Sequence, residues 1–182
     1  MPKRKRLISV AYILLACVLW QGAGSALAAP TEHEVKAAYI INFAKLTQWP
    51  AGALGASDEA FQICIPGQRD GIGPALAALA SKTVQSRPVL VRQGLRLSDL
   101  AACRVVVLES GDEARLGSVL DVLGGNPVLT IGDFEDFSRR GGMIELGSQG
   151  SRIVFDVNQN AAQRVGLNLA AQMLRLARVV RQ

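Results

Sequence analysis

The sequence holds 182 residues, 49% of them hydrophobic, with 20 Lys and Arg against 15 Asp and Glu and a single His. That length is about one domain and is enough to bury a sizeable core. The formal charge of +5 is a local effect: Lys3, Arg4, Lys5 and Arg6 supply four of the basic residues, no acidic residue precedes Glu32, and residues 29–182 carry only +1. Without a concentrated basic face, nucleic-acid binding loses its main electrostatic support.

The basic start, the apolar run from Leu7 to Trp20 and the small-residue triplet Ala26-Leu27-Ala28 predict a signal peptide over residues 1–28. The apolar run is too short, and wrongly flanked, for a membrane span. The mature chain is expected to start at Ala29, to be periplasmic and soluble, and to form one domain over 29–182. Leu14-Leu15-Ala16-Cys17 partly matches a lipoprotein box. The second leucine and the continued apolar run through Val18-Leu19-Trp20 argue against acylation of Cys17.

Thr31 followed by Glu34 has the form of a capping box. From Glu32 to Pro50, apolar residues at Val35, Ala38, Tyr39, Ile41, Phe43, Leu46 and Trp49 recur at spacings of three and four. They predict an amphipathic docking helix about four turns long, stopped by Trp49-Pro50. Residues 51–57 form a glycine-broken connector. A strand over 60–65 follows, then an alanine-rich helix over 72–81 with Pro74 in its first turn. An extended segment over 83–93 is bent near Arg87-Pro88, and a short helix covers 95–102.

RVVVL (104–108) is a continuous apolar strand of the kind buried in a parallel sheet. An amphipathic helix over 113–123 ends at Gly124-Gly125. The strand PVLTI (127–131) and a short helix or turn over 133–138 come next. Residues 143–146 and 152–157 alternate well enough to pair as a hairpin across 147–150. A last helix is predicted from about 160 to 179, capped by Asn158 or Asn160, with Leu167, Leu169, Met173, Leu174 and Ala177 on its inner side. Arg164, Arg175, Arg178 and Arg181 read as its solvated face, or as a patch for an acidic partner. The order predicts a single-domain α/β fold: a mainly parallel sheet with one antiparallel hairpin strand and helices on both faces.

Chemistry-bearing patterns are few. Without Cys17, the remaining Cys64 and Cys103 are an even pair in an exported protein, which favours a disulfide. Both lie on strand-like runs that one sheet could bring within bridging distance. The bridge reads as a staple first and as a redox-responsive switch second, with free thiols as the remaining reading. His33 is the only histidine and opens an exposed helix, so neither a zinc site nor a Ser-His-Asp arrangement can be assembled. Gly71-Ile72-Gly73-Pro74 is neither GxGxxG nor a P-loop. Asp133, Glu135 and Asp136 could act as acid and base or hold a hard metal, but are better explained as partners of a helix dipole. Gly141-Gly142 permits a tight turn. No catalytic residue, cofactor or metal is expected. In FDVN (155–158), alternation puts Asp156 and Asn158 on one strand face and Phe155 and Val157 on the other.

Three blocks carry a resemblance: VKAAYIINFAKLTQWP (35–50), GGMIEL (141–146) and RIVFDVNQNAAQRVGLNLAAQMLRLA (152–177). They resemble the YfiR family, small secreted proteins of Gram-negative bacteria. The resemblance implies a non-enzymatic periplasmic repressor that binds the periplasmic sensor domain of an inner-membrane diguanylate cyclase. It would lower cyclic di-GMP and biofilm formation. Relief would come from an OmpA-like outer-membrane lipoprotein, or from reductive or envelope stress. It also implies a cysteine pair on these two strands whose oxidation is linked to stability and repressor activity. Some relatives add a second pair near the GGM motif. Here Ser138 and Glu145 stand at the neighbouring positions, so a two-disulfide mechanism is not carried over. On the F-[DE]-[VI]-N motif, Asp156, Asn158 and Ala162 become the candidate partner-binding residues, with Asn158 also a cap. The sequence leaves a homodimer open. The alternative is a periplasmic small-molecule-binding module.

Overall fold

The computed structural model describes residues 29–67 and 71–182, so the expected signal peptide and Cys17 lie outside the described residues. Thr31–Gln182 forms one compact unit. The first helix, α1 (Glu32–Lys45), opens with the expected capping box: the Thr31 side chain accepts from Glu34 N–H, and the Glu34 carboxylate accepts from Thr31 N–H. Its buried face is Ala37, Ile40, Ile41, Phe43 and Ala44, with Lys36 buried beside them. Ala38, expected inside, is exposed. The helix also stops a turn early, because Thr47–Gln48 (β1) leaves it to pair antiparallel with Asn168–Leu169 (β9).

The remaining strands are β2 (Phe61–Ile65), β3 (Thr83–Val84), β4 (Arg87–Gln93), β5 (Val105–Leu108), β6 (Leu129–Gly132), β7 (Ile144–Gln149), β8 (Arg152–Asn158) and β10 (Val179–Arg181). They form an eight-stranded sheet in the order β10-β8-β7-β6-β5-β2-β4-β3. The pairs are parallel except β7–β8 and β3–β4. The mainly parallel α/β fold is therefore as expected, with a second antiparallel pair at the far edge. That edge hairpin turns on Gln85 and Ser86, both in the left-handed region (φ 52° and 62°). The geometry suits a two-residue hairpin, but these residue types do not announce it. Gln85 Nε2 donates to Thr47 O at 3.0 Å, which helps hold the turn.

Both sheet faces are covered, which is why VVVL is apolar throughout. Val105, Val107, Leu129, Ile131, Ile144, Leu146, Phe155 and Val157 join α1 and α2 (Ile72–Ala78) in one core cluster. Cys64, Val106 and Leu108 join α3 (Leu116–Leu123), Leu100 and Phe137 in the other. The second cluster holds the Cys64–Cys103 disulfide, with Cα atoms 6.0 Å apart and both residues fully buried. It ties β2 to Cys103, which caps the short 3-10 helix Leu97–Ala102 two residues before β5, so the second cysteine lies just ahead of the strand and not on it as expected. Closing a 39-residue separation is worth at most about 4 kcal/mol in the chain-entropy model.

The long C-terminal helix does not form. Residues 159–182 fold as α4 (Gln159–Arg164), β9, α5 (Ala171–Leu174) and β10. Gly166 adopts φ +76° just past α4. Leu46 O then takes the Ala170 N–H at 2.9 Å and draws β9 alongside β1. Leu167, Leu169 and Met173 are buried as expected, but by a folded-back chain rather than a helix face. Residues 133–138 form bends and turns, the second of the two expected forms. The β7–β8 turn is tighter than expected, at Gly150-Ser151.

Candidate functional site: a charged cleft over β7 and β8

The cleft is built by the loop that follows β6. Phe137 is fully buried in that loop. Its ring lies against Gly132 and Gly142 so closely that a Cβ on either glycine would overlap it. Gly141 makes the reversal at φ +104°. The GG pair thus serves one position as a turn and the other as room for a ring. With Phe137 seated, Ser138 is carried beneath β7 and β8. Its N–H and Oγ donate to Glu145 Oε2 at 3.0 and 2.9 Å, and its carbonyl accepts from Asn158 Nδ2 at 2.8 Å.

Glu145 and Asp156 are direct partners across the antiparallel β7–β8 pair and are 9% and 3% exposed. Like charges directly opposite each other are unfavourable, the more so out of water. Counter-charge comes from the C-terminal residues. Arg178 holds Asp156 with both prongs, Nε to Oδ1 at 2.8 Å and Nη2 to Oδ2 at 3.0 Å. Arg181 adds a longer contact to Asp156 Oδ2 at 3.9 Å and donates to Ser138 Oγ at 3.4 Å. The Asp156 carboxylate holds the Arg178 pKa above its ordinary value. Two of the four arginines expected on a solvated helix face are therefore engaged with a buried carboxylate.

At the other end of the cleft, Lys36 of α1 bridges Glu32 at 2.7 Å and Asp133 at 2.6 Å. Burial works against the Lys36 charge, but the bonds to Asp133 and Glu32 outweigh it and raise its pKa. Burial raises the Asp133 pKa, with Lys36 pulling the other way. Asp133 is thus committed to an ion pair rather than to a helix dipole, and Asp136 pairs on the surface with Arg139 at 3.5 Å. Lys36, Asp133, Asp136, Arg139, Glu145, Asp156, Arg178 and Arg181 are among the residues that line an open cleft of about 340 Å³, whose lining is mostly charged.

Of the expected partner-binding residues, Asp156 lies on the floor of this cleft, held by Arg178. Asn158 caps α4 by accepting from Ala161 N–H at 3.0 Å. Ala162 is buried in the core beneath that helix. His33 is exposed at the start of α1. From the sequence, Arg178 and Arg181 read as a solvated helix face or a patch for an acidic partner; Lys36, Ser138 and Glu145 are not picked out as a site. For Glu145 the signal was the alternation of β7 and β8, which puts it on a common face with Asp156 once the register is known. Gly71-Ile72-Gly73-Pro74 opens α2, where the Glu109 carboxylate accepts from Ile72 N–H. Among the described residues, no group of three or more His, Cys, Asp or Glu could hold a metal, and no helix is long and apolar enough to cross a membrane.

A family model described as YfiR/HmsC-like matches residues 33–178. The chain belongs to that YfiR/HmsC-like family. Among solved structures it is similar to a conserved domain protein from Vibrio cholerae O1 biovar El Tor, with a TM-score of 0.55 and 10% identity over 83% of this chain. The chain spans only 60% of that protein's length, and the likeness is one of fold. A looser match, TM-score 0.49 and 10% identity over 77% of this chain and 61% of the other, is the ABC domain from Streptococcus pneumoniae in complex with L-Trp. The match to the YfiR/HmsC-like family takes in the cleft residues from Lys36 to Arg178 and stops short of Arg181.

Proposed function

We propose that this chain is an exported, non-catalytic regulator that binds the periplasmic sensor domain of an inner-membrane diguanylate cyclase. Held there, it represses cyclic di-GMP synthesis and with it biofilm formation. The observation that carries this reading is the family match over residues 33–178. Repression follows as a population shift: the chain binds the inactive cyclase conformation more tightly than the active one. The fully buried disulfide keeps β2 and β5 in place and so supports the scaffold on which the contact residues sit. Asp156 meets the partner through the cleft, while Asn158 and Ala162 set the position of α4 beside it. An OmpA-like outer-membrane lipoprotein that sequesters the chain would relieve repression.

A pull-down from envelope extracts, with and without reductant, tests the proposal. The expected catch is a membrane protein with a cytoplasmic GGDEF domain, retained under oxidising conditions. Recovery of no envelope protein would reject it.

The alternative reading, a small-molecule-binding module, has the cleft volume in its favour. Small-molecule pockets, however, are mostly apolar with a few polar groups, and this cleft is lined the other way round.

A further inference from the structure

The residues from Arg175 to Arg181 lie against the sheet as a strap whose attachment is mainly polar. Its strand β10 pairs parallel with β8 over three residues, Val179 to Asp156 through Arg181 to Asn158. One more backbone bond, Arg178 N–H to Phe155 O at 2.8 Å, precedes it. Apolar anchorage is limited to Ala177, half-buried against the core, and half-buried Val180; Leu176 is 75% exposed and Val179 36%. The grip is the fork of Arg178 on Asp156, seconded by Arg181. Beneath the strap lie two buried, directly opposed carboxylates, Glu145 and Asp156. Removing the strap uncovers both the hydrogen-bonding edge of β8 and this negative pair, in which Glu145 keeps its Ser138 bonds and Asp156 loses its arginine fork. Such a surface calls for an extended backbone that carries a cation at the Asp156 position.

We infer that the strap is an internal stand-in: the edge of β8, with Glu145 and Asp156, is a docking site for an extended, arginine-bearing segment of a protein partner, and residues 175–181 occupy it until displaced. Three observations support that occupant. The strap already shows the required backbone geometry and the bidentate pairing. The charge beneath it is of the opposite sign. The strap buries little apolar surface, so its release costs far less than global unfolding. The exchange swaps one Arg–carboxylate fork for another and leaves the core intact. This inference borrows from the functional reading only that the chain works by binding a protein. Its test uses neither cyclase nor cells, so its failure leaves that reading standing.

The test is amide hydrogen exchange on the full chain. In the unaltered protein, raising the salt from about 0.05 to 0.5 M should speed exchange in Val179–Arg181 several-fold, while β5 and β6 stay unchanged, because the latch is a partly exposed ion pair. Arg178→Gln should speed exchange in β10 about tenfold or more. A synthetic peptide with the sequence of residues 175–182, added to that variant, should restore protection along β8. The same peptide with glutamine in place of its Arg178 equivalent should not. Asp156→Asn should loosen the strap and abolish peptide binding. Exchange of β10 at the same rate as β5 and β6 would overturn the proposal, as would a glutamine peptide that protects equally well. A concentration-dependent dimer of Arg178→Gln with exchanged straps would also overturn it, by making a second copy the occupant.

Discussion

Lys36 on α1 reaches Asp133, the first residue after β6, at 2.6 Å, and both side chains are largely buried, at 8% and 13% exposure. This pair joins the opening helix to the loop that seats Phe137 and carries Ser138. Replacing Lys36 by Met leaves Asp133 uncompensated. The expected loss is about 3 kcal/mol, the cost of breaking a buried pair from one side. The double variant Lys36→Met with Asp133→Asn should recover much of it. Urea denaturation of the single and double variants measures both.

The pH dependence of α1 follows from its carboxylates. Bonds from Thr31 lower the Glu34 pKa below 4.5, and bonds from Lys36 and Ser148 do the same for Glu32. Depressed carboxylates stabilise the fold above their unfolded pKa. That stabilisation is lost as the pH falls below 4.5 and through the folded values. Asp133, whose pKa burial raises, acts in the opposite direction and softens the loss. Lys36, raised above 10.5, contributes stability that persists below that pH and disappears as the pH rises through its folded value. Protection from amide exchange at the start of α1, taken relative to the intrinsic rate at each pH, should therefore fall below about pH 4, ahead of protection in β5.

Gly142 gives room to the Phe137 ring, and its replacement by Ala forces the ring and its loop to shift. Overpacking of this kind costs about 1–3 kcal/mol. Because Ser138 follows Phe137, the same substitution should disturb the Ser138–Glu145 bonds. A crystal structure of the variant should show Glu145 repositioned, whereas Gly125→Ala, with open space around it, should leave the cleft unchanged.

Both cysteines are fully buried, so reduction should await opening of the second core cluster. Thiol labelling of oxidised protein that starts at Ala29, and so lacks Cys17, should find no free thiol with or without denaturant. Once reduced, the chain should lose up to about 4 kcal/mol, seen as a lower melting temperature. Labelling of two thiols without reductant would contradict the disulfide.

Much of the sheet was legible, because burial on both faces leaves an unmistakable mark on stretches such as RVVVL, and the cysteine pair joins β2 to the residues just before its neighbour β5. The C-terminal region was not. Leu167, Met173, Leu174 and Ala177 recur at helical spacing, and only a tertiary contact, the pairing of Asn168–Leu169 with Thr47–Gln48, overrides it. Gly166 was the one local warning. For the cleft, alternation in FDVN put Asp156 and Asn158 on one strand face, and only the resemblance to the family motif singled them out; Asp156 lines the cleft and Asn158 caps α4. Lys36 could not be matched with Asp133, nor Arg178 with Asp156, because the partners lie 97 and 22 residues apart and meet only through the sheet. Glu145 acquires meaning only from the β7–β8 register, which the sequence specifies no better than to a few residues.

The central claim, repression of a membrane diguanylate cyclase, is tested most directly by the cyclic di-GMP content of a strain that expresses the cyclase, with and without the gene for this chain. Deletion should raise the nucleotide, and restoring the gene should bring it down again. An unchanged level in the deletion strain would contradict the account.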